Sequence, residues 1–247
     1  MYKKIVFFIA LGISLYSGMC FGLTAKEIVK ASDDLLRGKT LKGKYQMTVI
    51  RPKWKRTLKL IAYTKGKDKT FIKIISPQKE KGITTLRIKN NMWIYHPRIE
   101  RTIKIPPSMM LQPWMGSDFS NDDLVKESSL VEDYTHTILK EKTIDGASVY
   151  KIKLTPKPEA AVRWGKIILW IRKDDFIPLK EEFYDEKGKL IKVLKYRNVK
   201  QFSDRKIPSI WEMSSIVKPE NKTVIEVIEA TYNEPIEESI FSLRNLR

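Results

Sequence analysis

One cysteine and two histidines are all that 247 residues offer to thiol, zinc or imidazole chemistry. Cys20 lies close to the N-terminus, and His96 and His136 stand apart in strand-like runs. A thiol nucleophile is therefore excluded from a chain processed after Gly22, and a zinc site built from several His or Cys ligands is disfavoured. No disulfide can form either, so stability rests on an ordinary core, which a chain of this length can build. Long apolar runs are equally scarce. One occupies residues 5–16, follows the basic pair Lys3 and Lys4, and is followed by the small residues Cys20 and Gly22 at the positions that precede a processing cut. It is too short to span a membrane comfortably and reads as a cleaved signal peptide over residues 1–22, which leaves 23–247 as one exported domain. In an alternative reading Cys20 is a lipidation site, which the bulky Met19 before it fits poorly.

Acidic residues are outnumbered. Lys and Arg number 47 against 29 Asp and Glu, a formal charge of +18, or +16 once Lys3 and Lys4 are removed. The basic residues are spread over nearly every strand-like run, as in Lys53, Lys55 and Arg56, and form no single basic helix or loop. Nucleic acid does not fit an exported protein. An anionic membrane surface does, because each basic residue held near it contributes about 1 kcal/mol. For any individual lysine, a solvated outer strand face that keeps the protein soluble is sufficient explanation.

What is present in quantity is alternation. After one helix, opened by Thr24 three residues before Glu27 and stopped by Gly38, the hydrophobic period changes from helical to two. Leu41, Gly43, Tyr45, Met47 and Val49 alternate with polar residues, and Leu58, Leu60 and Ala62 do so after a turn at Pro52. The pattern recurs over 70–75, 83–89, 92–96, 101–105, 134–144, 149–155, 166–172, 177–184, 190–202, 208–217 and 223–232. About a dozen strands with short connections predict an antiparallel meander, since parallel strands would need long crossovers. Its apolar face has few covers: the N-terminal helix, the region 120–127 and the C-terminal residues 236–243. Either a closed barrel with a packed interior or a half-barrel with an apolar cavity satisfies this mismatch. Strand parity places Met47, Val49, Leu58, Leu60, Leu86, Ile88, Trp93 and Tyr95 on the concave side.

Residues 109–124, MMLQPWMGSDFSNDDL, interrupt the alternation. Pro106, Pro107 and Pro113 rule out a regular strand or a long helix there. Met109, Met110, Trp114, Met115 and Phe119 supply soft apolar area, and Gly116 and Asp118 a turn. Such a segment reads either as a mobile flap that forms the rim of a lipid cavity, since Met adapts to ligands of varied shape, or as a plug closing one end of an open β-structure. Asp118, Asp122 and Asp123 could be drawn as a metal cluster. Ser120 three residues before Asp123 instead marks a helix N-terminus, where carboxylates are favoured by the unpaired N–H groups and the helix dipole.

The run Asn91-Met92-Trp93-Ile94-Tyr95-His96-Pro97, taken with Met115-Gly116-Ser117-Asp118-Phe119-Ser120, Asp123-Leu124 and the ending Ile240-Phe241-Ser242-Leu243, resembles the LolA-like outer-membrane lipoprotein-sorting proteins. The resemblance covers nearly the whole exported chain. It implies a mainly β protein, an incomplete antiparallel barrel wrapped around short helices, that carries lipid or lipoprotein acyl chains across the periplasm without catalysis or a cofactor. It also implies an inner-membrane transporter of the resistance-nodulation-division type as a partner. A different class of function, an envelope sensor that docks a partner protein on the same fold, remains open on the sequence.

Overall fold

The computed structural model describes residues 22–125, 129–139, 142–144, 146–160, 162 and 164–247. The signal-peptide and Cys20 readings lie outside the described residues. Helix α1 (Ala25–Arg37) forms as the sequence predicts: the Thr24 hydroxyl accepts from the Glu27 amide, and the Glu27 carboxylate accepts in return from the Thr24 amide at 2.8 Å. Gly38 ends it at φ 64°, in the left-handed region that a residue without Cβ enters at little cost.

Among the described residues, fourteen strands follow in one sheet. They are β1 (Thr40–Arg51), β2 (Trp54–Lys65), β3 (Lys69–Ser76), β4 (Thr84–Ile88), β5 (Asn91–His96) and β6 (Arg101–Ile105), then, after a short helix α2 (Asn121–Val125), β7 (Tyr134–Ile138), β8 (Lys142–Ile144), β9 (Ala147–Pro156), β10 (Lys166–Arg172), β11 (Pro178–Tyr184), β12 (Leu190–Phe202), β13 (Arg205–Ser215) and β14 (Lys222–Tyr232). The expected run 134–144 is two strands, β7 and β8, both paired to β9. The two meanders join where β14 lies antiparallel to β1, from Leu41 opposite Tyr232 to Ile50 opposite Lys222. The order β6-β5-β4-β3-β2-β1-β14-β13-β12-β11-β10-β9-β7 does not close, so β6 and β7 remain free edges. The architecture is an open half-barrel.

Both faces of this sheet carry apolar residues, and they are covered by different segments. The main core lies on the concave side, where Met47, Val49, Leu58, Leu60, Ile72 and Met92 meet α1 and the second meander. A second cluster, Phe71, Leu86, Phe241 and Leu246 with Tyr63, Ile88, Trp93 and Tyr95 packed against it, is formed under the C-terminal residues. The structure departs from the parity reading in two respects. Leu86, Ile88, Trp93 and Tyr95 do not share the face of Met47 and Leu58, and the C-terminal segment does not cover the concave side. The physical reason is that both faces of β3 to β5 carry apolar residues that pack, Ile72 and Met92 on one side and Phe71 and Leu86 on the other, with four consecutive buried residues from Thr84 to Arg87, so alternation there carries no information about side.

The C-terminal cover is tied down by charge as well as by packing. Thr84 Oγ1 donates to the Leu246 carbonyl at 2.6 Å, and Glu238 accepts from both Lys65 and Lys69 at the β2–β3 turn. Those two lysines hold the Glu238 carboxyl down at about 2. A carboxylate with a depressed pKa contributes stability that is fully present above its unfolded value near 4.5 and is lost as pH falls toward 2. Amide hydrogen exchange of residues 236–246 is therefore expected to accelerate between these pH values relative to β1 and β14. Equal protection at both ends of that window would show that the ion pairs contribute nothing, as exposed pairs often do.

Candidate ligand cavity

Between the concave face and the two helices lies an apolar cavity of about 190 Å³. The first meander contributes Leu41, Tyr45, Met47, Leu60, Ala62 and Ile72, and the second Ile167, Phe183, Leu194, Tyr196, Trp211, Met213 and Ile225. Leu36 of α1, Phe119, Leu124, Leu130 and Trp164 complete the wall. Aromatic rings brace one side: Trp211 meets Tyr45 at 6.3 Å and Tyr196 edge-on at 6.1 Å, and Trp164 meets Phe183 at 5.2 Å. Gly43 makes the placement of Tyr45 possible, because a Cβ at Gly43 would stand 2.5 Å from the Tyr45 hydroxyl. The ring lies back along its own strand, over the glycine.

Several polar groups in this wall pair with one another. Asp33 and Arg37, one helical turn apart on α1, pair at 3.3 Å, and the Tyr196 hydroxyl donates to Glu181 at 2.7 Å. Asp123 holds Lys192 at 2.7 Å, and the ammonium also stacks over Trp164 and Phe183 at 4.9 and 5.0 Å. Burial raises the Asp123 carboxyl, but Lys192 and the Ser120 hydrogen bonds outweigh it, and the net direction is down. Burial pushes Tyr45, Tyr134 and Tyr196 up, with Asp122 adding to it at Tyr134 and Glu181 at Tyr196, so all three are neutral phenols at pH 7. His136 is lowered by burial, with its Nε2 2.7 Å from the Leu130 carbonyl oxygen. The arrangement offers an apolar body a place to sit, edged by ion pairs and hydrogen bonds.

Of the residues read as a lipid site, Met47, Leu60 and Phe119 line the cavity. Val49, Leu58, Met110 and Trp114 are buried in the same core without reaching it, and Met115 packs against that core. Met109 is exposed. Leu86, Ile88, Trp93 and Tyr95 stand on the far side of the sheet. The segment 109–119 is pinned throughout: Trp114 is 1 % exposed and its indole N–H reaches Thr85 Oγ1 at 3.3 Å. The Trp114 amide donates to the Phe119 carbonyl at 2.8 Å, and the Asn121 amide to that of Gln112 at 3.0 Å. Arg51 donates to the Gly116 carbonyl at 2.8 Å, and Arg56 donates to that of Met115. These contacts are those of a plug.

Asp118 and Asp123 are held by different cations. Asp118 pairs with Arg51 at 2.9 Å and accepts from Thr223 Oγ1 at 2.7 Å, which fastens the plug to β14. Asp123 closes a reciprocal cap, donating its amide to Ser120 Oγ at 3.1 Å while its carboxylate accepts from the Ser120 amide at 2.8 Å. Ser120→Ala is expected to lower unfolding free energy by about 1 kcal/mol in urea titrations, the usual effect of losing a cap. A shift of several kcal/mol would mean that the hydroxyl supports more than this one turn.

The structure matches a domain described as an outer membrane lipoprotein-sorting protein domain from Vibrio parahaemolyticus, with TM-score 0.78 and 24% identity over 90% of this chain and 97% of that one. It matches a DUF1329 family protein from Desulfovibrio piger with TM-score 0.83 and 22% identity, over 90% and 98% of the two chains. It also matches a LolA superfamily protein from Nitrosomonas europaea, with TM-score 0.77 and 21% identity over 91% and 100%. The fold is thus the LolA-like fold that the motifs imply. A family model described as "Uncharacterized protein" matches residues 66–247, most of the chain, and the chain belongs to that family. No curated protein matches the sequence.

The wall residues of the second meander were not singled out by sequence reasoning, although each lies in an expected strand. The signal was available in part, since Leu194 and Tyr196 flank Lys195, and Trp211 and Met213 flank Glu212. Their convergence on Met47 and Leu60 requires the β14–β1 pairing, a contact across nearly the whole chain.

Proposed function

We propose that the protein is a periplasmic carrier that holds an acyl segment of a lipid or lipoprotein in the cavity and moves it toward the outer membrane without bond chemistry. The observation that carries this reading is the apolar cavity itself, set in a fold shared with lipoprotein-sorting relatives and in a chain whose N-terminal sequence reads as an export signal. In this reading Met47, Leu60 and Phe119, with the second-meander wall, contact the chain, while the plug closes one end. A module built only to dock a protein would have no use for such a cavity.

Magnitudes limit the cargo. An apolar cavity of ~150 Å³ takes up benzene, so the present volume suits one short acyl segment, and two full chains would require the walls to part. About six methylenes buried at ~0.8 kcal/mol each give a gross term near 5 kcal/mol, relative to water. Cargo drawn from a bilayer already has an apolar home, so the net preference is far smaller and release is feasible. The three similar structures give no support to a resistance-nodulation-division transporter as donor. Organic extracts of the purified protein, analysed by mass spectrometry, are expected to contain an acyl lipid in stoichiometric amount. A clean extract together with no binding of a fluorescent fatty acid would sink the carrier reading.

A further inference from the structure

The two ends of the half-barrel differ in kind. The β1–β2 turn at 51–54 and the β13–β14 turn at 216–221 lie side by side, because Lys222 pairs with both Ile50 and Ser214. The β11–β12 turn is at the same end, since Lys192 pairs with Ser215, and so is the β5–β6 turn at 97–100, since Tyr95 pairs with Thr84 and Thr84 with Lys73. From these turns Trp54, Ile99, Ile216 and Val217 project with 47, 57, 45 and 55 % of their surface exposed. Exposed lysines stand between them, at 53, 55, 187, 189 and 218, with Arg98 beside Ile99. The turns at the other end, 66–68, 89–90, 173–176 and 203–204, carry no exposed large hydrophobic residue among the described residues.

Other large apolar residues are exposed elsewhere, Ile138, Val199 and Ile228 among them, and single ones need no explanation, but four gathered on the turns of one end do. An indole and aliphatic tips interleaved with Lys are the composition that settles at the headgroup level of a bilayer, with the lysine stems reaching toward phosphate. At these turns exposed basic groups outnumber the exposed acids Glu100, Glu186 and Glu220, so the complementary surface is anionic. Trp54 is held in place by the guanidinium groups of Arg51 and Arg56, each 5.7 Å from its ring. The same two arginines hold the plug carbonyls at Gly116 and Met115. The greasy end is therefore also the end at which the plug is fastened.

We infer that this end of the half-barrel is a membrane-docking surface, with Trp54, Ile99, Ile216 and Val217 entering the headgroup layer of an anionic bilayer and the lysines between them meeting its phosphates. The inference deepens the carrier reading by naming the face presented to a donor or acceptor membrane. Co-sedimentation of the purified protein with vesicles of phosphatidylethanolamine and phosphatidylglycerol tests it, with phosphatidylcholine vesicles as comparison. Binding is expected to the anionic vesicles, weakening as salt rises from about 0.1 M to about 1 M. The variant W54S/I99S/I216S/V217S is expected to bind at least about tenfold more weakly, whereas K67S/K89S at the opposite end keeps wild-type binding. Failure of the wild type to sediment with anionic vesicles, or equal losses in both variants, would overturn the assignment. Fluorescent fatty-acid binding, measured on the same proteins without vesicles, separates the two readings: the tip variant keeps it if the cavity works alone, and its loss in the wild type strikes the carrier reading and leaves the docking result standing.

Discussion

Trp114→Ala is expected to lower the free energy of unfolding by about 3–5 kcal/mol, the range for removing a large aromatic side chain from a packed core. The expectation rests on three features of one residue. Its side chain is among the largest fully buried in the molecule, its indole N–H is satisfied by Thr85, and its amide closes the bridge to Phe119. Truncation leaves a void between the plug and β4 and strands the Thr85 hydroxyl in a dry setting. Urea unfolding measures the loss directly. The same experiment decides what the segment is. A gate that swings open to admit cargo must sit at the low end of the local stability range. A change below about 1 kcal/mol would mean that Trp114 contributes little to the folded state and would return the segment to the flap reading.

How legible this arrangement was in the sequence depends on how many faces of a strand are buried. On β1 and β2 one face meets the core and the other meets solvent or polar neighbours. There alternation groups Met47, Val49, Leu58 and Leu60, and the four share one core cluster. On β3 to β5 the two faces are both apolar, and the side chosen for Leu86, Ile88, Trp93 and Tyr95 was the wrong one. Nothing local distinguishes the faces. What decides is the C-terminal segment, which places Phe241 and Leu246 against Phe71 and Leu86. Alternation reports a period, and a period has no sign until something distant covers one side.

The capping residues were more legible because their partners lie three positions away. Thr24 with Glu27 and Ser120 with Asp123 both close as reciprocal caps. Longer contacts were out of reach. Asp118 finds Arg51 and Thr223, and Asp123 finds Lys192, across separations that no spacing rule addresses. The plug shows the same division. Its composition disclosed apolar area and turns, while the tethers that make it a plug come from Arg51, Arg56 and Thr85 on other strands.

The largest effect on binding is expected from Ala62→Trp. Ala62 lies on β2 opposite Gly43 on one side and Ile72 on the other, and its methyl faces the cavity beside the Tyr45 ring. An indole at this position occupies space that an acyl segment would need, in a cavity of about 190 Å³ that has little to spare. Fatty-acid affinity should fall by at least about tenfold, equivalent to about 1.4 kcal/mol. Stability should change much less, because the new side chain enters existing space; forcing it into a filled core would cost about 1–3 kcal/mol. Ile88→Ala is the matched control. It opens space in the cluster beneath the C-terminal segment, on the opposite face of the same sheet, and should leave affinity within about twofold while lowering stability. If A62W binds the probe as the wild type does while I88A does not, cargo lies under the C-terminal residues and the concave cavity is an ordinary packing defect.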